Sequence, residues 1–403
     1  MDIPSRLELL HKIRGLPAAA PLLRALADAD GVHLVGGAVR DLLLGGAPVD
    51  LDLVAERDVS AIAARLGGEV TVHDRFATCT VSLDGYSYDF ARARRERYPA
   101  PGALPEVEPA SLAEDLLRRD FTVNAAAIAL GADRPGKLSA APGALEDLDG
   151  CRLRVLHDRS FEDDPTRLLR LARYASRLRF EVEPHTRELA QDALGEGALG
   201  TVSGPRIGAE LRLLARERDP VAALGALRAL GLDRAIAPGF GLEDPELAAA
   251  AIELLPADGR RDLLALAVAA RGVEPHELEV RLDSLAFEAG DRDVIVAAAT
   301  RAGAVAATLV GADASSEIAA VLRGSGPELA ALAGALGPAQ QARRWIESLR
   351  GVELEIDGGD LLAAGIPEGP AIGRGLSAAL AAKLDGRARG RDAELAEALR
   401  GAR

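Results

Sequence analysis

At 403 residues the chain exceeds what one hydrophobic core usually supports, so two or more domains are expected. Hydrophobic residues reach 48% with only 3% aromatic, which points to Ala, Leu and Val cores and favours helices, while two cysteines with no Cys-x-x-Cys pair argue against a disulfide scaffold or a structural zinc site. A formal net charge of −14 confines any contact with nucleic acid to local basic clusters. No apolar run reaches membrane-spanning length, and Met1-Asp2-Ile3-Pro4-Ser5 lacks the basic start of a signal peptide, so a soluble cytoplasmic protein is expected.

Residues 1–30 read as one or two short helices leading into a buried strand, Val32 to Val35. Gly36 and Gly37 then permit a tight turn, and Ala38 to Leu44 reads as a helix; a glycine turn that opens a helix is a ready phosphate cradle. Arg40, in the first turn, offers a forked guanidinium to a triphosphate. A second strand, Leu51 to Val54, carries Asp52 and follows Asp50, and the period-2 spacing of the two aims both carboxylates at one spot. Asp-x-Asp alone is most often a polar strand edge. Set among Val49, Leu51, Leu53 and Val54, however, uncompensated carboxylates would be costly, and Mg²⁺ is the expected compensation.

Further strands are expected at Thr80–Leu83, Ser87–Phe90 and Ala125–Leu130, giving a compact α/β unit over residues 31–150. Between them, Arg118-Arg119-Asp120-Phe121-Thr122-Val123-Asn124 gathers groups that can hold ribose hydroxyls and phosphates, although a capped helix entry with solvated arginines explains the same residues. From Ser160 onward Leu, Ala and Arg recur at helical spacing, and residues 160–403 read as all-helical, with breaks near Pro184, Gly197–Gly204, Pro238–Gly241 and Pro256–Gly259. Glu162-Asp163-Asp164-Pro165 opens the first long helix, along which Arg167, Arg170 and Arg173 form one stripe and Leu168, Leu169 and Leu171 another.

Together these clusters resemble the motifs of the class II tRNA nucleotidyltransferases and bacterial poly(A) polymerases. Gly36-Gly37-Ala38-Val39-Arg40-Asp41 with Asp50-Leu51-Asp52 resembles motif A, Arg118 to Ala125 motif B, Glu146 to Gly150 motif C, Asp163 to Arg170 motif D, and Ser203 to Leu211 motif E. The resemblance implies an α+β protein, with a polymerase-β-like nucleotidyltransferase head at 31–155, after a lead-in at 1–30, and a helical neck at 156–220, body at 221–340 and RNA-binding tail at 341–403. It implies Asp50 and Asp52 as Mg²⁺ ligands, with Asp89 as a third catalytic carboxylate, and Gly36, Gly37 and Arg40 as triphosphate contacts. Arg119, Asp120 and Asn124 are implied as ribose and phosphate contacts, and Asp164, Arg167, Arg170 and Arg173 as the rest of the nucleotide pocket.

The activity so implied is template-independent addition of CCA, or at least its terminal A, to the tRNA 3′ end and acceptor region from CTP and ATP. Cytosine and adenine both present an amino donor beside a ring-nitrogen acceptor, which a carboxylate and a guanidinium meet; uracil and guanine reverse that pair. The segment Pro101-Gly102-Ala103-Leu104-Pro105, in a loop running from Arg94 to Val107, resembles the form of enzymes that add only the terminal A and of some broader relatives. Motif D usually begins Glu-Asp where Asp163-Asp164 stands here, and motif E often has Glu where Pro205 sits. A poly(A) polymerase is the nearest alternative, but from Gln341 to Arg403 basic and acidic residues balance at ten each, where a basic tail would be expected. An HD-type phosphohydrolase, raised by His73-Asp74 and His157-Asp158, lacks a matching helical histidine set, and intact Asp50 and Asp52 argue against a silent RNA-binding module.

Overall fold

Seven short strands assemble a mixed sheet in the computed structural model, which describes residues 3–73 and 78–403. The chain forms two compact units, one ending at Ile207 and the other running from Gly208 to Arg403. In chain order the strands are β1 (Val32–Val35), β2 (Leu51–Ala55), β3 (Glu69–His73), β4 (Thr78–Leu83), β5 (Tyr86–Arg92), β6 (Arg94–Arg97), β7 (Glu106–Pro109), β8 (Ala126–Ala129), β9 (Leu138–Ala140), β10 (Arg152–Leu153) and β11 (Glu181–Val182). The first unit's helices are α1 (Arg6–Arg14), α2 (Ala19–Ala25), α3 (Gly37–Leu43), α4 (Ser60–Leu66), α5 (Leu112–Leu117), α6 (Ala144–Asp149), α7 (Ser160–Asp163), α8 (Thr166–Leu178) and α9 (Pro184–Gly195); α10 (Gly204–Ala215) follows.

The sheet order is β3-β4-β5-β2-β1-β8-β9. Neighbours are antiparallel except β2 and β5, which run parallel with Asp52 directly opposite Asp89. β1 lies inside the sheet between β2 and β8, with Val32, Leu34 and Val35 buried and His33 half-buried. β2 instead alternates buried Leu51 and Leu53 with exposed Asp52, the pleat aiming one carboxylate out of an apolar strand. Beneath the site Val35, Val54, Ala93, Leu116, Ala125, Ala127 and Ala141 close a core of small side chains. Tyr88, fully buried, reaches across to donate its hydroxyl to the Ala18 carbonyl at 2.7 Å, tying β5 to the segment before α2.

Several expectations shift. Asp50 lies in the bend before β2, so the two carboxylates do not share one strand, and Val49 is 59% exposed rather than packed around them. The stretch 94–107 is less loop than hairpin, since β6 and β7 pair antiparallel. The all-helical reading of 160–403 fails at Glu181–Val182, which pair parallel with Arg152–Leu153; two residues are too short to show a period.

The second unit is helical throughout its described elements. Its first helices, α11 (Pro220–Ala229), α12 (Asp233–Ile236), α13 (Pro245–Leu254), α14 (Arg261–Ala269), α15 (Pro275–Ser284) and α16 (Ala289–Leu309), show why. Asp219-Pro220, Asp244-Pro245 and Glu274-Pro275 each set a capping carboxylate ahead of a proline at the first helical position. The carboxylates accept from Ala222, Leu247 and Glu277 backbone N–H groups at 2.9–3.0 Å. Alanines and leucines such as Ala248, Leu264, Ala298 and Leu332 fill the interior. No helix among the described residues is long and apolar enough to cross a membrane.

Candidate active site

The turn from β1 into α3 sets the site's floor. Gly36 has φ +69°, a backbone state side-chain-bearing residues rarely adopt, and a Cβ there would lie 2.8 Å from Arg119 Nη1 and 3.7 Å from Asp52 Oδ2. Glycine is thus required both by the turn and by the approach of a guanidinium and a carboxylate to the bare backbone. Gly37, next along, lies against the Arg40 guanidinium.

Asp52 opens toward this floor, with Asp89 beside it in register on β5. It opens into the cavity, yet the protein atoms around it strip away part of its solvent. This desolvation, then the charge of Asp89, pushes the Asp52 carboxyl up against the pull of Arg119, and Asp50 adds to the push. Thr80 on β4 donates its hydroxyl to Asp89 Oδ1 at 2.6 Å, orienting that carboxylate. Asp50 is exposed beside the start of the strand.

Arg118 and Arg119 are aimed by one buried acid. Asp115, in the first turn of the short capped helix α5, receives Arg118 Nε at 2.9 Å and Arg119 Nη2 at 3.0 Å. Burial pushes its carboxyl up, but the two guanidinium groups outweigh that and hold it below the usual range. The capped-helix-entry reading of this cluster therefore fails: α5 ends at Leu117 and both arginines turn inward, 19% and 15% exposed.

A second buried network stands behind the cavity. Asp120 Oδ2 receives Arg170 Nε at 2.9 Å, and its Oδ1 receives the Asn124 amide at 2.9 Å and the Phe121 N–H at 2.8 Å. Burial opposes the charge, yet Arg170 and these donors bring its pKa down to about 2. Arg40 Nη1 donates to Asn124 Oδ1 at 2.6 Å and its Nε to Asp41 at 2.8 Å, while its guanidinium stacks 5.3 Å from the Tyr174 ring centre. At 2% exposure Arg40 is a strut for Asn124, not the open triphosphate contact its sequence position suggests.

At the other side, Asp164 Oδ1 accepts from the Thr166 N–H and hydroxyl and from Arg206 Nη2 at 2.8 Å. Arg167 donates Nη1 to Ser160 Oγ at 2.7 Å and Nη2 to the Arg118 carbonyl at 2.8 Å. These residues enclose a cavity of about 410 Å³ lined by Gly36, Gly37, Asp52, Arg119, Asp120, Asn124, Asp164, Arg167 and Arg170. Arg40 and Arg173 lie outside its lining; Arg173 is buried with its guanidinium 4.8 Å from the Tyr174 ring centre. Asp89 lines an adjoining cavity of about 330 Å³ that shares Asp52, Arg118 and Arg119. Among the described residues no three His, Cys, Asp or Glu side chains form a ready metal cage.

Residues 32–154 match the family described as the Poly A polymerase head domain. The chain is 35% identical to an A-adding tRNA nucleotidyltransferase of Geobacter sulfurreducens over 92% of its own length and 45% of that protein's. It is 44% identical to a CC-adding tRNA nucleotidyltransferase of Deinococcus radiodurans over 52% and 56% respectively. It superposes on a CCA-adding enzyme in apo form with a TM-score of 0.84 at 28% identity, covering 99% of this chain and 100% of that one. With a tRNA-bound CCA-adding enzyme of Thermotoga maritima the TM-score is 0.78 at 28% identity, covering 99% of each chain. Residues 32–154 thus carry the Poly A polymerase head domain, and the whole chain shares the fold of CCA-adding enzymes. Its fold is accordingly a polymerase-β-like head followed by helices, and it spans about half the length of the curated relatives it matches.

Motif reading missed part of the cavity wall. Arg94 and Glu96 from β6, and Tyr98 just after it, line the cavity. Glu96, 7% exposed, receives Arg118 Nη1 at 2.9 Å, Arg94 Nε at 3.1 Å and the Tyr98 hydroxyl at 2.9 Å. The signal was available: Arg94-x-Glu96-x-Tyr98 has period 2, one face of a strand. Tyr174 and Arg206 also complete the site, and nothing local in sequence separates them from ordinary helix residues. Of the HD-type dipeptides, His157 is half-buried, with burial first and then Arg167 pushing its pKa down, and Asp158 pairs with His185 at 3.1 Å; Asp74 lies outside the described residues. Cys79 and Cys151 are both free thiols.

Proposed function

We propose that this protein transfers nucleotides, without a template, from CTP and ATP to the 3′ end of tRNA, completing CCA or adding at least its terminal A, with release of pyrophosphate. The observation that carries this reading is the meeting of Asp52 and Asp89, in register on parallel strands, with an arginine-walled cavity that ends at Asp164 and Arg167. The names of the relatives and the ligands of solved neighbours, tRNA in one and CTP or ATP in others, support it. They favour a tRNA enzyme over the poly(A) polymerase alternative.

The chain's own groups divide the work. Arg119, fixed by Asp115, and the Gly36-Gly37 backbone receive the phosphates, while Asp120 and Asn124, locked by Arg170 and Arg40, meet the ribose. Asp164 Oδ1 is committed, leaving Oδ2 to accept the exocyclic amino group of cytosine or adenine. Arg167 keeps N–H groups for the ring nitrogen beside it. Uracil and guanine would set donor against donor and strand buried polar groups, the kind of mismatch that gives strong discrimination. Asp89 takes the 3′-hydroxyl side of the reaction.

Mg²⁺ fits this donor set. Loss of solvent, then the charges of Asp89 and Asp50, push the Asp52 carboxyl up, a cost that a cation relieves, and Asp50 with Asp52 offers hard oxygen donors. Mg²⁺ is commonly held by one or two carboxylates plus substrate phosphates and water. Bound there, Mg²⁺ would neutralise charge on the attacking oxygen and on the departing pyrophosphate.

The test is extension of three tRNAs, ending before CCA, after C and after CC, with Mg²⁺ and CTP, ATP or both. Stops at CCA on all three identify complete CCA addition; A added only to the CC-ended tRNA identifies terminal-A addition. Unlimited A-tailing would favour the poly(A) polymerase, and no incorporation that is lost in Asp52→Ala would sink the catalytic reading.

A further inference from the structure

Across four strands one row of side chains shares the face of the sheet that carries Asp52 and Asp89. The register sets Asp52 on β2 opposite Asp89 on β5, Asp89 opposite Thr80 on β4, and Thr80 opposite Thr71 on β3. Residues paired across neighbouring strands point to the same side, so a threonine stands where the row of acids ends. Thr80 is half-buried and Asp89 is exposed. The Thr80 hydroxyl donates to Asp89 Oδ1 at 2.6 Å, the only side-chain hydrogen bond that Asp89 receives among the described residues. Both residues line the cavity of about 330 Å³ that shares Asp52 with the larger one.

The chemistry of this donor sets it apart. Two other acids of the site are held by arginines, Asp115 by Arg118 and Arg119 and Asp120 by Arg170, and both oxygens of each are occupied. A hydroxyl adds no charge and carries a single proton, so it fixes one oxygen of Asp89 and leaves the other open. Threonine also suits the place mechanically, because its branched Cβ restricts χ1 and little further freedom is lost in holding the hydroxyl still. We infer that Thr80 is a positioning residue for nucleotide transfer: by holding Oδ1 it presents Asp89 Oδ2 to the 3′-hydroxyl of the acceptor strand, beside Asp52. The inference rests on the proposed activity, in which Asp89 takes the acceptor side, and adds to it a neutral residue that acts only through that carboxylate. Nucleotide choice lies elsewhere, since Asp164 and Arg167 line the larger cavity and Thr80 does not.

The experiment measures transfer from ATP to a CC-ended tRNA with Mg²⁺ for wild type, Thr80→Val, Thr80→Ser, Asp89→Ala and Thr80→Val/Asp89→Ala. Valine keeps the branched shape and the strand preference and deletes only the hydroxyl, so the melting temperature should stay close to that of wild type. A hydrogen bond to a charged group corresponds to roughly 10- to 100-fold in rate, and kcat of Thr80→Val should fall by that factor with KM for ATP and for tRNA within about twofold of wild type. The preference for ATP over UTP should not change. Serine, which restores the hydroxyl, should recover most of kcat. In the Asp89→Ala background the valine substitution should cost little more, because the carboxylate it positions is gone. An unchanged kcat in Thr80→Val, a serine variant no better than valine, or an equal loss with and without Asp89 overturns the inference and leaves the proposed activity standing. A rise in KM alone would place Thr80 in substrate binding and overturn it as well. A wild type that incorporates nothing into any tRNA sinks the proposed activity and this inference with it.

Discussion

Arg206 Nη2 donates to Asp164 Oδ1 at 2.8 Å while its Nη1 donates to the Gly102 carbonyl at 2.7 Å, so one guanidinium joins the proposed base-reading carboxylate to the tip of the β6–β7 hairpin. The tip is held elsewhere too: the Gly102 N–H donates to the Glu162 carbonyl at 3.1 Å, and at φ +69° a Cβ there would run into Thr201. The orientation of Asp164 and the seat of the hairpin are thereby one arrangement.

Replacing Arg206 with alanine should cost the proposed base discrimination more than it costs fold. Removing one charge-assisted hydrogen bond to a carboxylate is worth about 1.5–3 kcal/mol, or roughly 10- to 100-fold in rate. Single-nucleotide extension of a CC-ended tRNA should show ATP incorporation falling by that amount, with the preference for ATP over UTP narrowed. Equal loss for both nucleotides, or no loss, would show that Asp164 holds its orientation without Arg206.

Gly36→Ala tests the floor of the cavity. The substitution combines a backbone state that costs about 1–3 kcal/mol for a non-glycine residue with a Cβ 2.8 Å from Arg119 Nη1. Arg119 must move, and Asp52 loses the opposite charge that offsets its neighbours. Nucleotide transfer should fall at least about 100-fold, the equivalent of 2.7 kcal/mol, while the melting temperature drops by only a few degrees. A variant with near-normal transfer would separate Arg119 from the reaction.

How much of this was legible in advance depended on range. Gly36-Gly37, Asp52 and the Asp120 to Asn124 run are written locally, and local chemistry placed them around one cavity. Arg40 shows the limit: its position in the helix suggested an outward, phosphate-seeking role, and only the fold brings Asn124, Asp41 and Tyr174 around it and leaves it 2% exposed. The same long-range pairing hid Arg206 and the Glu96 network, whose partners lie 104 and 22 residues away in sequence. Val49 erred in the opposite sense, because an apolar letter beside a strand looks buried until the strand's true start at Leu51 is known.

Asp120 makes stability and pH a joint test. Its carboxyl titrates at about 2 in the folded chain against an ordinary value of about 3.9 when unfolded. A depressed folded pKa contributes stability that is present above the unfolded value and is lost as pH falls through the folded one. That gap corresponds to about 2–3 kcal/mol. Asp120→Asn should therefore melt lower than wild type near neutral pH, and the difference should shrink as pH falls from about 4 to about 2. A difference that stays constant over that window would mean that the ion pair with Arg170 does not set Asp120's proton affinity.

Glu96 and Tyr98 separate a charge network from a single hydroxyl. Glu96→Ala leaves the half-buried Arg94 and Arg118 without their shared acceptor, and breaking a buried charge cluster by removing one partner costs about 3–5 kcal/mol. Arg118 retains Asp115, which places the expected loss at the lower end of that range. Tyr98→Phe deletes one bond of 2.9 Å and keeps the ring, a change of about 1 kcal/mol. Chemical denaturation should rank the pair in that order, and KM for ATP should rise clearly in Glu96→Ala and little in Tyr98→Phe. If the two variants instead behave alike, the hydroxyl rather than the arginine cluster is what Glu96 organises in the cavity wall.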